Sequence, residues 1–192
     1  MIVFYTASYY GKQKYQRYYD LVHKALKELG VQLISPEEGN YQGVLDEETR
    51  KRLGGNPRLL HYEAIRQGIH LSDAVVIEVS HEDIQIGHEA TIAIMEKKPV
   101  LCLSIREDYS KKIFHDYFFA AKYTEATMKP ILQDFLARVG ELRLAKRFNM
   151  FLYPDQVAYL EKASKCFGLN MSEYIRRLIN LDHRATASET QA

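Results

Sequence analysis

Two acids that lie six residues apart are the strongest candidates for chemistry in this chain. Asp83 and Glu89 belong to residues 80–89, which join a buried apolar run to a helical pattern. A glutamate in the first turn of that helix, at the mouth of a sheet, can act as a nucleophile toward an electrophilic carbon such as a sugar anomeric centre. Asp83 is then a candidate to hold a ligand hydroxyl, and Gly87 would let the backbone approach the ligand closely.

The same residue types also admit simpler interpretations. Glu89 would only satisfy the positive end of its helix, and Asp83 would be a solvated loop acid. His81 and His88 lack the spacing of a zinc-protease motif, so neither a metal nor another cofactor is predicted. Ser8 does not lie in a nucleophile elbow, which argues against serine hydrolase chemistry.

The elements that must position these acids follow a βαβ pattern over residues 1–140. The pattern predicts strands at 2–5, 31–34, 74–79, 100–104 and 118–123, helices at 13–29, 58–71, 88–98 and 124–139, and a long loop or lid at 37–57. This alternation indicates a flavodoxin-like α/β domain, a parallel sheet with helices on both faces. Ligands bind such sheets at the carboxyl ends of the strands. Thr6, Ser8 and Ser80 lie at those ends and are predicted to bind substrate, as is Tyr9.

A larger frame surrounds the two acids. It comprises residues 3–9 (VFYTASY), 72–80 (SDAVVIEVS), 87–89 (GHE) and 98–103 (KPVLCL). With this frame the chain resembles, over roughly residues 1–139, the nucleoside 2-deoxyribosyltransferase superfamily, which includes the 2′-deoxynucleoside 5′-monophosphate N-glycosidases.

This resemblance implies a role for each acid. Glu89 would attack C1′ of the sugar, release the base and form a glycosyl-enzyme intermediate. Water would then complete hydrolysis, and a second base would give transfer. Asp83 would contact the sugar 5′ group, and an acid there favours a nucleoside over a 5′-monophosphate because two anions in one pocket repel each other.

Three positions depart from the pattern that the resemblance implies. Phe4 replaces a tyrosine that contacts the catalytic glutamate, and the adjacent Tyr5 is the catalytic candidate, although strand alternation turns it to the other side. Ile65 stands where a carboxylate often engages the base, and Gln85 replaces the first glycine of Gly-x-Gly-x-Glu. Either an active N-glycosyl enzyme or a version that only binds its ligand fits these residues.

Residues 141–184 form a second module, with an alternating run at 147–152 and helical patterns at 155–166 and beyond Asn170. This order resembles a ribbon-helix-helix module, which implies a homodimer or a higher oligomer with paired strands. Outward Arg147, Asn149 and Phe151 would enter the major groove of double-stranded DNA, and the helix at Asn170 would approach phosphate. A dimerisation clip without DNA binding is the alternative. The module carries a net charge of +3, against −1 for residues 1–140.

Length and composition limit the remaining possibilities. The chain has 192 residues, 46% of them hydrophobic, and a net charge of +1, as expected for one mid-sized domain plus a small module. Its apolar runs are strand-sized, so no membrane segment is predicted. Cys102 and Cys166 are predicted to be buried thiols and no signal peptide is predicted, and both expectations favour a cytoplasmic protein. Residues 185–192 are predicted to be a disordered tail. The two resemblances together imply N-glycosidic bond cleavage or base exchange on a (deoxy)nucleoside or its 5′-monophosphate or, alternatively, nucleotide sensing by a DNA-binding regulator.

Overall fold

The computed structural model describes residues 1–143 and 150–189, and the chain divides into two compact units, 1–145 and 146–192. The strands of the first unit are β1 (Ile2–Ala7), β2 (Gln32–Ile34), β3 (Ala74–Glu78), β4 (Val100–Ser104) and β5 (Phe118–Lys122). Its helices are α1 (Lys12–Glu28), α2 (Glu47–Arg52), α3 (Pro57–Leu71), α4 (Ile84–Met95) and α5 (Glu125–Arg143).

The five strands form one parallel sheet in the order β2-β1-β3-β4-β5, which confirms the predicted α/β class. This is the strand order of flavodoxin-like doubly wound sheets. Alternation along each strand separates two cores. Tyr5 packs with α1 and α5 on one face, and Phe4 packs with α3 and α4 on the other.

The structure differs from the prediction in the segment 37–57 and at the start of α4. The segment 37–57 is not a plain loop, because it contains a 3-10 turn at Tyr41–Val44 and the short helix α2. Helix α4 begins at Ile84 rather than at residue 88, because the Asp83 carboxylate caps it by accepting from the backbone N–H groups of Gln85 and Ile86. Glu89 therefore lies in the second turn of α4, not in the first.

The second unit contains the helices α6 (Pro154–Cys166) and α7 (Met171–Glu189). Leu160 and Tyr174 are buried between them. Asn170 caps the second helix, since its Oδ1 accepts from the N–H of Glu173 at 2.9 Å. Because α7 continues to Glu189, the prediction of a disordered tail is wrong for residues 185–189.

The predicted ribbon strand is not formed at residues 150–152, which have irregular backbone. A strand needs a hydrogen-bonded neighbour, and the ribbon would find one only in a second chain. Phe151 is fully exposed there. Arg147 and Asn149 lie outside the described residues, so their predicted DNA contacts stay predictions.

The two cysteines occupy different environments. Cys102 is buried on β4, where burial raises its pKa to about 12. Cys166 is exposed as the last residue of α6, so the prediction of a buried thiol is wrong there. Over residues 1–143 and 150–189, no helix has both the length and the apolar character that a bilayer span requires.

Candidate functional site

A cavity of about 390 Å³ opens at the carboxyl ends of β1 and β3. The sheet order reverses between these strands, since β2 lies to one side of β1 and β3 to the other. Ligands of open α/β sheets bind at such a point. The lining consists of Thr6, Ala7, Tyr9, Tyr10, Lys12, Pro36, Glu37, Tyr41, His61, Ile65, Asp83, Gln85 and Ile86.

Glu89 lies behind this lining and is only 2% exposed. Its Oε1 accepts a hydrogen bond from Gln85 Nε2 at 3.1 Å. Its Oε2 is buried and has no hydrogen-bond partner among the described residues. Thr6 and Gln85 are two of the side chains that interact with Glu89, and both line the cavity. One carboxylate oxygen is thus held while the other is left without a partner.

Burial raises the pKa of Glu89 to about 7, because a carboxylate loses hydration in the protein interior. The negative charge of Asp83 adds to this rise, whereas hydrogen bonds from Gln85 and Thr6 oppose it. Glu89 is therefore partly ionised near neutral pH. A carboxyl group of this kind beside a cleft is a candidate functional group.

Asp83 connects the two strand ends that frame the cavity. Its Oδ1 accepts from the N–H of Gln85 at 2.8 Å and from that of Ile86 at 3.1 Å. Its Oδ2 accepts from the Ser8 hydroxyl, which follows β1. The carboxylate is thus held in one orientation at the cavity wall, where it can still accept a hydrogen bond from a ligand.

Several predicted site residues are brought together here. Thr6, Tyr9 and Asp83 line the cavity, and buried Ser8 adjoins it through Asp83. Gly87 is exposed inside α4 rather than in a turn, and a Cβ there would meet no atom within 4 Å. The expectation that the backbone approaches a ligand closely at Gly87 is not supported, because Gly87 is not among the residues that line the cavity.

Two predicted residues lie elsewhere. The Tyr5 hydroxyl donates to the carbonyl of Tyr19 at 2.8 Å inside the α1/α5 core, on the sheet face opposite Glu89. The Ser80 hydroxyl donates to Glu78 and accepts from the N–H of Ile105 at 2.9 Å. Both hydroxyls serve the protein interior, so neither the catalytic assignment of Tyr5 nor the substrate contact of Ser80 is supported.

Tyr41, His61 and Gln85 are among the cavity residues that were not predicted to bind substrate. His61 Nδ1 lies 2.9 Å from the Tyr41 hydroxyl, and its Nε2 lies 3.1 Å from Gln85 Nε2. The sequence did contain a signal for His61. Asn56 caps the start of α3, so His61 lies in the second turn of that helix, near the edge of a doubly wound sheet where ligands bind.

The cavity lining carries more negative than positive charge, with two acids, Glu37 and Asp83, and one cation, Lys12. Lys12 Nζ pairs with Glu37 Oε1 at 2.9 Å, which leaves Asp83 as the acid without an opposing cation in the lining. Over the described ranges, no group of three His, Cys, Asp or Glu side chains is arranged to hold a metal ion.

Comparison with known proteins does not assign the chain to a family. No family model matches it, and no curated protein matches its sequence significantly. The geometry of the cavity and the sequence resemblance are therefore the two observations that bear on function.

Proposed function

We propose that the first unit cleaves the N-glycosidic bond of a (deoxy)nucleoside, or exchanges its base, with Glu89 as the nucleophile. The observation that carries this proposal is the unpartnered, buried Oε2 of Glu89 behind a cavity at the switch point of the sheet. A nucleophile needs an oxygen that no protein donor occupies, and Oε2 meets that requirement.

The reaction would proceed in two displacements. Oε2 of ionised Glu89 attacks C1′, the C1′–N bond breaks, and its electron pair leaves with the base, which takes a proton from water. Water then attacks C1′, loses a proton and frees Glu89, or an acceptor base attacks instead and forms a new nucleoside. Because only the ionised carboxylate attacks, base release should increase as pH rises through about 7.

The cavity favours a substrate without a 5′-phosphate. Asp83 would accept a hydrogen bond from a 5′-hydroxyl, whereas a phosphate would meet two acids, Asp83 and Glu37, with Lys12 already paired. Ile65 and Ile86 offer an apolar wall for a base, and Tyr9 is 75% exposed at the cavity mouth, where it can stack.

Chromatographic detection of free base tests this proposal. The wild type and Glu89→Gln are incubated with nucleosides and their 5′-monophosphates, with and without an acceptor base. We expect base release from nucleosides by the wild type and at least about a 10³-fold loss in the variant. Release only from monophosphates would overturn the assignment of Asp83, and equal release by both proteins would overturn that of Glu89.

A ligand-binding regulator is the second candidate, favoured by the 2% exposure of Glu89 and by its absence from the cavity lining. In that case nucleosides bind without turnover and change the affinity of the second unit for DNA. Calorimetry and fluorescence anisotropy with a DNA duplex distinguish the two functions. A regulator shows ligand-dependent DNA binding, no free base, and unchanged ligand affinity in Glu89→Gln.

Homodimerisation through the second unit is part of both proposals. An apolar groove of about 420 Å³ lies on this unit. Met150, Leu152, Tyr159, Leu160, Ile175 and Leu178 are the apolar residues that line it. The inward residues of a partner's ribbon strand would fill this groove, as the resemblance to ribbon-helix-helix modules implies. Sedimentation equilibrium should then give a dimer or a higher oligomer, and a monomer would overturn this part of the proposal.

A further inference from the structure

A chain of hydrogen bonds crosses the cavity wall and ends on Glu89. The Tyr41 hydroxyl and His61 Nδ1 are 2.9 Å apart, His61 Nε2 and Gln85 Nε2 are 3.1 Å apart, and Gln85 Nε2 and Glu89 Oε1 are 3.1 Å apart. Its members come from three separate segments of the first unit. Gln85 precedes Glu89 by four residues on α4, so the two side chains lie on the same face of the helix.

The donors and acceptors along this series of hydrogen bonds can be assigned consistently. An amide nitrogen carries two hydrogens and a carboxylate only accepts, so Gln85 can donate one hydrogen to Glu89 and the other to His61. His61 Nε2 must then be unprotonated, and Nδ1–H donates to the oxygen of Tyr41. Burial lowers the pKa of His61, which favours this neutral ring.

We propose that Gln85 is a positioning residue for Glu89 and that His61 fixes the orientation of the Gln85 amide. The donor on Oε1 stabilises the ionised carboxylate and sets its rotation, so that Oε2 is the oxygen left for reaction. The catalytic consequence depends on the proposed function, but the effect on the carboxylate does not.

The alternative is that Gln85 is only a polar cap on a buried acid. Gln85 is exposed at the cavity, and Glu89 lies behind it. A simple cap would hide Glu89 equally well with an apolar side chain of the same length. If Gln85 instead positions Glu89, an apolar side chain cannot replace it, because the ionised carboxylate would lose the hydrogen bond that lowers its pKa.

The test is a carbon-detected NMR titration of the glutamate carboxyl groups, with Glu89→Gln to assign the resonance. Gln85→Met keeps length and cover but removes the donor, and it should raise the pKa of Glu89 by about one unit. Gln85→Asn, whose amide is one methylene too short, should also raise it. His61→Phe should give a smaller rise. Thr91→Val, on the exposed side of α4, is the control and should give none.

An unchanged or lowered pKa of Glu89 in both Gln85 variants would overturn the proposal. Base release measured on the same proteins separates this failure from failure of the proposed function. If wild type releases base, Gln85→Met should lower kcat more than it changes KM and move the pH profile upward. A shifted pKa in proteins that never release base would leave positioning intact and overturn only the enzyme.

Discussion

Glu78 and Glu89 are two buried glutamates on opposite faces of the same sheet, and their surroundings differ sharply. Glu78 is fully buried and accepts from the Tyr123 hydroxyl at 3.0 Å, from the Ser80 hydroxyl, and from the Ser80 N–H at 3.2 Å. Glu89 accepts a hydrogen bond from Gln85 at 3.1 Å and interacts with the Thr6 side chain, and its Oε2 has no hydrogen-bond partner among the described residues.

The difference indicates what each carboxyl group does. Burial raises the pKa of both groups, so burial alone does not distinguish them. The three donors on Glu78 tie β3 to the loop after it and to Tyr123, the residue that follows β5, which is a structural role. An unpartnered buried oxygen beside a cavity costs stability, and the proposed function gives this oxygen a ligand or a reaction partner.

Glu89→Gln should give the largest change in stability, and in the favourable direction. The buried Glu89 carboxyl group keeps its proton up to about pH 7, whereas the same group in the unfolded chain loses it near pH 4.5. The free energy of unfolding of the wild type therefore falls as the pH rises between these two values. The neutral amide avoids this loss, and the variant should gain up to about 3 kcal/mol at pH 8 and almost nothing at pH 4. Urea denaturation at several pH values measures the difference, and a gain that is independent of pH would refute this explanation.

Glu78→Gln should instead destabilise the protein, by about 2 kcal/mol, because one amide oxygen cannot accept from all three donors and the loss of these hydrogen bonds exceeds the gain from removing a buried carboxyl group with a raised pKa. The same urea experiment applies, with Glu89→Gln as the matched control. If the two variants shift stability in the same direction at pH 8, the proposed contrast between the two glutamates is wrong.

The hydroxyls around Glu78 should give the smallest effects. Tyr123→Phe removes a donor to Glu78 and should cost about 1 kcal/mol. Tyr19→Phe removes a buried hydroxyl without a partner in the described part of the chain, so it should change stability by less than about 0.5 kcal/mol. Thermal unfolding monitored by circular dichroism compares the two, and a larger loss in Tyr19→Phe would show that its hydroxyl is partnered.

Much of the fold could be predicted because apolar runs mark strands buried on both faces. The strand at 100–104 was predicted at its observed bounds, and the others within three residues. Helix α2 was missed because it is short and has no buried residues. Its signals are local instead, with a capping Asp46, acids in the first turn and bases in the last.

The site was less predictable because half of it depends on tertiary packing. Asp83 and Glu89 were found because both acids follow a buried strand in one short segment. His61 and Tyr41 come from distant segments, and only the packing of α3 on the sheet brings them to Gln85. Strand alternation did predict that Tyr5 points away from Glu89, and the structure confirms that direction.

A covalent adduct on Glu89 would test the central claim most directly. The wild type and Glu89→Gln are mixed with a nucleoside, quenched in acid, digested and compared by peptide mass spectrometry. The account predicts one added sugar, without its base, on the wild-type peptide that contains Glu89, and no such adduct in the variant. Base release with no adduct on that peptide, or with an adduct on another residue, would contradict the assignment of Glu89 as the nucleophile.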